Sequence, residues 1–174
     1  MRSLLLTGAL CAALCCAQGN ALAAGAYGPR IGGVQLGQTM QEAQNALQHW
    51  EHASLAMEGP GADGAAPSIH VSLQGDDICA NLFFNAKGRL ENFACWGSCL
   101  RALSKSKGKA ATIVQNMRSA YALPDLPLTH LPSDQGQPPE ELWQHEDKTQ
   151  HWILSFRMDT GDDDNLMMGL QKRH

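Results

Sequence analysis

Two groups of apolar residues at helical spacing predict two amphipathic helices. The first follows Thr39-Met40-Gln41-Glu42, which matches a capping box, and its apolar positions predict a helix over about residues 40–52. The second ends before Pro124, which restricts the residue that precedes it. The apolar positions of these helices are Met40, Ala43, Leu47 and Trp50 in the first, and Ala110, Ile113, Val114, Met117, Ala120 and Tyr121 in the second.

Strict alternation of apolar and polar residues from Ser68 to Leu73 is typical of a strand. Residues 78–84 and 89–96 read as two further strands joined by Asn85-Ala86-Lys87-Gly88, which suits a type I turn closed by a glycine bulge. With Asn85 opposite Arg89, the predicted core face comprises Ile78, Ala80, Leu82, Phe84, Leu90, Ala94 and Trp96.

A second hairpin is predicted from residues 142–145 and 151–158 around Asp147-Lys148, with Trp143 opposite Trp152. A last strand covers residues 166–170. Glycine and proline predict irregular loops near 59–67 and 124–140. The expected fold is a single α+β domain over residues 24–174, an antiparallel sheet with two helices packed on one face. The expected order is helix, three strands, helix, three strands.

The first residues predict an export signal. Arg2 provides a cationic start, residues 4–17 form an apolar run too short to span a bilayer, and small residues then permit cleavage between Ala23 and Ala24. Residues 1–23 are therefore interpreted as a cleaved signal peptide, and the mature chain as periplasmic or secreted. Lipidation is the alternative, but no early cysteine follows the small residue that lipidation requires. No later stretch is apolar enough for a transmembrane helix.

Charge and composition narrow the classes of partner. The net charge is −4, and loss of Arg2 with the signal makes it one unit more negative, which does not suit nucleic acid. Charged residues make up 17% of the chain, which is below the usual quarter and indicates generous loops around a modest core.

Loss of the signal leaves the mature chain with Cys79, Cys95 and Cys99, an odd number. In the predicted hairpin register Cys79 lies opposite Cys95, and a disulfide there would add about 3 kcal/mol by the chain-entropy estimate. Cys99 offers two rival pairings, with Cys95 through a tight turn or with Cys79. Whichever pair forms, one thiol remains, either as a buried small hydrophobe or as a nucleophile.

Other candidate sites have weaker patterns. His49 and His52 are spaced to share a helix face, and Asp159–Asn165 is rich in carboxylates, but surface histidines and a solvated acidic turn are the favoured interpretations. No metal site and no cofactor are therefore predicted. A basic run could meet an anionic partner and consists of Arg101, Lys105, Lys107 and Lys109.

The segment Gly33-Val34-Gln35-Leu36-Gly37-Gln38-Thr39-Met40-Gln41-Glu42-Ala43 resembles the opening of a group of small exported bacterial proteins. These are related to beta-lactamase inhibitory protein and to the small lipoprotein of the outer-membrane assembly machinery. Gln38 stands where methionine is usual, and the chain lacks the lipidated cysteine of the assembly lipoprotein. The resemblance implies an antiparallel sheet and a binding or scaffolding role outside the cytoplasm, and it places no binding residue.

Two functional hypotheses follow from the sequence. The first is an exported, non-enzymatic protein that binds an envelope or extracellular protein through its sheet face or its proline-rich arm. The second is a small cysteine-dependent or metal-dependent enzyme that uses the unpaired thiol.

The export signal predicts the mass of the mature protein. Intact mass spectrometry of protein recovered from the envelope or the medium should give a chain that begins at Ala24 and carries no lipid. A chain that retains residues 1–23, or one with an acyl modification, would contradict this prediction.

Overall fold

The computed structural model describes residues 25–61, 65–74, 77–134 and 136–173. The predicted signal and its cleavage site between Ala23 and Ala24 lie outside the described residues. Within these ranges, no helix combines the length and the apolar character needed to cross a bilayer.

The described chain alternates helices with runs of strands. The first half contains a short hairpin of β1 (Tyr27–Ile31) and β2 (Val34–Leu36), the helix α1 (Met40–Leu47), and the strands β3 (Ala53–Glu58), β4 (Ser68–Leu73), β5 (Ile78–Phe84) and β6 (Leu90–Trp96). The second half contains the helices α2 (Gly97–Ser104) and α3 (Ala110–Tyr121), the strands β7 (Leu128–Leu131), β8 (Glu140–Asp147) and β9 (Trp152–Asp159), a 3₁₀ turn at Asp163–Asn165, and β10 (Met167–Lys172).

Eight strands form one antiparallel sheet in the order β3-β4-β5-β6-β10-β9-β8-β7. Each half of the chain thus contributes four consecutive strands, and the last strands of the two halves, β6 and β10, pair at the centre. The sheet therefore consists of two four-stranded meanders that are joined through their last strands.

One face of this sheet forms the core. Its buried side chains join those of all three helices and of the β1–β2 hairpin in a single cluster. The capping box of α1 is confirmed, since the Thr39 hydroxyl accepts from the Glu42 amide and the Glu42 carboxylate accepts from the Thr39 amide. That backbone hydrogen bond lowers the pKa of Glu42. Gly32 closes the hairpin at φ +58, where a Cβ atom would lie 2.7 Å from Leu103 and 2.8 Å from Trp50.

The α+β class is confirmed, but the predicted order of two helices and three plus three strands is wrong. A third helix, α2, occupies part of the stretch that was expected to be a basic loop, where Cys99, Leu100 and Leu103 provide a short buried stripe. The strands β3 and β7 were also missed. Both are edge strands, and β7 forms between Pro127 and Pro132 because the outer side of an edge strand needs no amide donor.

A bulge in β6 changes the predicted core face. Phe84 pairs with Leu90 as expected, but Phe83 pairs with Asn92, so Glu91 is the extra residue at which the register shifts. Because side chains alternate along a strand, this one-residue shift reverses every later position. The buried residues of β6 beyond the bulge are therefore Phe93 and Cys95, and the predicted core positions Ala94 and Trp96 lie on the opposite face.

The second hairpin also has a different register. Its first strand is longer than predicted, its loop spans residues 148–151, and Asp147 pairs with Trp152, so Trp143 lies opposite Phe156. The predicted pairing of Trp143 with Trp152 is wrong because the turn contains four residues, not two. Both tryptophans nevertheless lie on the buried face, as the alternation indicated.

The bulge predicts that alanine substitutions at two phenylalanines, ten positions apart in the chain, lower the free energy of unfolding by very different amounts. Phe93 is fully buried, so Phe93→Ala should lower the free energy of unfolding by about 3–5 kcal/mol. Phe83 is 37% exposed, so Phe83→Ala should cost less than about 1 kcal/mol. Urea denaturation of both variants measures this, and equal costs, or a larger cost at Phe83, would contradict the register.

Candidate binding face of the sheet

The structure contains a disulfide between Cys79 and Cys99, so the predicted pairing of Cys79 with Cys95 is wrong. The Glu91 bulge places Cys95 opposite Ala80. Cys79 is itself the extra residue where the β4–β5 register shifts, since Val71 pairs with Ala80 and Ser72 with Ile78. The bond therefore joins β5 to α2 and holds that helix on the buried side of the sheet.

The leftover thiol is Cys95, not Cys99, and it is fully buried. Burial raises the pKa of the Cys95 thiol well above its usual value, because the thiolate would lose its solvation. A nucleophilic cysteine needs the opposite environment. Cys95 is thus placed as a small core residue between neighbouring strands.

The predicted basic patch separates into two parts. Arg101 forms an ion pair with Asp164, while Lys105, Lys107 and Lys109 are exposed along the connection between α2 and α3. These three lysines lie on the helical side of the molecule. The Lys109 side chain does not cap α3, and Asp163 accepts the Ala110 amide at 2.8 Å in its place.

The acidic turn at residues 159–165 is a structural element. Asp163 caps α3, Asp164 binds Arg101, and Asp162 accepts the Asp164 amide at 3.1 Å. Asp159 accepts from the side chain of Asn165. Through these contacts the acidic turn is bound to α2 and α3. Within the described ranges, no group of three or more His, Cys, Asp or Glu side chains is arranged to hold a metal ion.

The histidines fall into exposed positions and one polar network. His49 and His52 are exposed on the turn after α1. His70 contacts Asn81 through Nδ1 at 2.6 Å and the Ser68 hydroxyl through Nε2 at 3.1 Å. This order of groups resembles a nucleophile, a base and an orienting amide, but Ser68 is only 2% exposed, so a substrate cannot reach its hydroxyl. The network satisfies a buried hydroxyl.

The face of the sheet opposite the core, which we call the open face, has no covering layer among the described residues. Its centre is a row of small or polar side chains that follows the pairing of Asn81, Ala94, Gly169 and Ser155 across four strands. Apolar side chains flank that row on both sides. Ile78, Phe83 and Met167 are 45%, 37% and 42% exposed, and Trp96 is half-buried.

A cavity of about 410 Å³ lies at one side of the open face, next to the acidic turn. Trp96 and Met167 are neighbours in the register and contribute apolar walls, and Arg157 pairs with Met167 on the next strand. The Arg157 guanidinium donates to Glu140 through two bonds at 2.7 and 2.6 Å, which raises the pKa of Arg157. Three carboxylates and one guanidinium line this cavity, and the carboxylates are Glu140, Asp159 and Asp164.

Sequence reasoning placed none of these residues in a shared site. The sequence pattern places Trp96 in the core and interprets residues 159–165 as a solvated acidic turn, and it singles out neither Arg157 nor Glu140. The Glu91 bulge turns Trp96 outward, and residues far apart in the chain become neighbours only through the β6–β10–β9 pairing. Hydrophobic alternation along single strands carries no signal for either event.

The disulfide and the free thiol predict different costs for two alanine substitutions. Cys99→Ala removes a cross-link between residues 20 apart and should lower the free energy of unfolding by about 3 kcal/mol. Cys95→Ala removes one buried sulfur and should cost about 1 kcal/mol. Urea unfolding without reductant compares them, and an equal or larger cost at Cys95 would contradict these roles.

Comparison of the chain with protein-family models, with curated proteins and with solved structures gives no match. The resemblance of the segment at Gly33–Ala43 therefore stays an expectation.

Proposed function

We propose that this chain is an exported binding protein that engages another protein of the envelope or the extracellular space through its open face. The partner presents an apolar surface with one basic side chain, and that side chain enters the cavity beside Trp96. The observation that carries the proposal is an eight-stranded sheet whose second face is covered by none of the described residues but holds exposed apolar side chains.

The width of the open face supports a protein as partner. Seven spacings of about 4.8 Å give a surface on the order of 30 Å across, which matches a standard protein interface and exceeds a small ligand. Exposed apolar side chains on such a face reduce the stability of the unbound protein only slightly, and they contribute binding free energy when a partner protein covers them. Trp96 and Met167 belong to residue types that are enriched in the centres of interfaces.

The charges around the cavity support a basic anchor. Glu140 pairs with Arg157 and Asp164 pairs with Arg101, whereas Asp159 accepts from the neutral side chain of Asn165. The cavity therefore keeps a carboxylate for a partner's cation, and the face of a tryptophan also attracts a cation. The doubly bonded Arg157 is held by Glu140, so it is less able to compete for the carboxylates nearby. A lysine or arginine of the partner would contact the ring of Trp96 and a carboxylate of the cavity at the same time.

The disulfide supports the proposed location. Disulfides persist in the periplasm and outside cells, whereas cytosolic thiols are kept reduced. The Cys79–Cys99 bond is therefore consistent with the export signal predicted over residues 1–23.

The alternative of a cysteine-dependent enzyme has less support. Its nucleophile would be Cys95, whose thiol is buried on the core face and whose pKa is raised by that burial. Four of the described histidines, His49, His52, His130 and His151, are exposed. His70 lies on the open face, paired with Asn81.

Three variants test the open face and the charge of its partner. The tagged protein is cross-linked in envelope extract, and the captured proteins are quantified for wild type, Met167→Lys, Met167→Glu and Thr112→Lys. Thr112 is exposed on α3, so its variant adds the same charge on the opposite side. Capture of the partner should fall about tenfold or more for Met167→Lys, less for Met167→Glu, and not at all for Thr112→Lys.

Two outcomes would contradict the proposal. If wild type and Met167→Lys capture the same proteins in the same amounts, the open face is not the binding surface. If Met167→Glu loses more of the partner than Met167→Lys, the partner's anchor is not basic.

A further inference from the structure

The two edges of the sheet differ in how they are protected. β7 has four residues between Pro127 and Pro132, and prolines at an edge discourage further pairing. β3 has six residues, Ala53–Glu58, without proline, lysine or a bulge, and it pairs regularly with β4. Met57 in β3 is 53% exposed, the largest exposed fraction among the exposed large hydrophobic residues of the described chain. Within the described part of the chain, β3 is thus the edge that lacks these protective features.

The main-chain groups on the outer side of β3 can be assigned from the hydrogen bonds beside it. The Gln74 amide donates to the His52 carbonyl at 3.2 Å, and bonded pairs alternate along an antiparallel ladder. Ser54, Ala56 and Glu58 therefore bond to β4, and Ala53, Leu55 and Met57 direct their main-chain groups outward. The Ala53 amide already donates to the Trp50 carbonyl at 3.2 Å, which agrees with this assignment.

We propose that two copies of this chain pair through β3 in an antiparallel, two-fold symmetric arrangement with Leu55 opposite the partner's Leu55. In this register the two Leu55 residues exchange a reciprocal pair of bonds, and each Met57 amide donates to the partner's Ala53 carbonyl. In each copy the Ala53 amide is already bound to the Trp50 carbonyl, so its bond to the partner's Met57 does not form, and this loss occurs twice across the two-fold axis.

The side chains are self-complementary in the same register. Ala53, Leu55 and Met57 lie on the core side of the sheet, where Leu55 pairs with buried Val71 and Met57 with buried Ile69. Met57 would pack against the partner's Ala53 and extend the core across the two-fold axis. On the other side, Glu58 faces the partner's His52, so the charged residue at the end of the strand meets no carboxylate.

This pairing goes beyond the proposed function and has a consequence for it. A two-fold axis perpendicular to the sheet keeps both open faces on the same side of a continuous sheet of sixteen strands, twice the eight of one copy. A dimer would then present two cavities to one partner surface, and binding of the second site would become intramolecular.

The test is the mass of the purified protein in solution, measured by sedimentation equilibrium. A short edge contact buries less than a standard interface, so we expect a dimer with a dissociation constant on the order of 10 to 100 µM. Met57→Lys and Met57→Pro should each weaken it by about tenfold or more, since the first removes apolar contact and the second removes an outward amide. Proline at this position leaves the bonds to β4 in place.

Met167→Lys is the matched control, because it places the same charge on a methionine of similar exposure in the open face. It should leave the dimer unchanged. A protein that stays monomeric up to about 1 mM, or a dimer that is insensitive to both Met57 variants, would overturn the proposal. A dimer disrupted by Met167→Lys instead would place the contact on the open face. None of these results depends on the capture experiment, so the two proposals can fail separately.

Discussion

The extra residue in β6 is the constraint on which the rest of the structure depends. The register of β5 and β6 shifts at Glu91, whose carboxylate accepts from Asn85 in the hairpin turn at 2.9 Å and from Lys172 of β10 at 2.8 Å. The Glu91 carboxylate also raises the pKa of Lys172. The bulge is thus held from both neighbouring strands, and it determines which side chains of β6 enter the core.

The location of the candidate site follows from the same shift. Phe93 and Cys95 are turned into the core, where they face Leu170 and Met168 of the second half. Trp96 is turned out to the open face beside Met167. With Cys95 opposite Ala80, Cys99 on α2 is the cysteine that reaches Cys79, so the same shift also directs the cross-link. Stability and the binding face are therefore coupled at one position.

Sequence patterns predicted the features that depend on interactions between residues close together in the chain. The capping box at Thr39 and Glu42, the strand at Ser68–Leu73 and the α+β class depend on neighbours in the chain, and all three are present. The missed features depend on tertiary pairing. The edge strand β3 forms by pairing with β4. The helix α2 is as long as α1 but begins without a side-chain cap, so the sequence gives no start signal for it. The bulge is stabilised by Lys172, which lies far along the chain. The residues around the cavity share no sequence motif, because the pairing of β6, β10 and β9 brings them together.

The most direct test of the bulge is the disulfide connectivity of the unreduced protein. Free thiols are alkylated in denaturant, and chymotryptic cleavage after Trp96 separates Cys95 from Cys99 before mass spectrometry. We expect a cross-linked pair of peptides containing Cys79 and Cys99, with the label on Cys95. A cross-link between Cys79 and Cys95, with the label on Cys99, would contradict the shifted register and the outward position of Trp96 that depends on it.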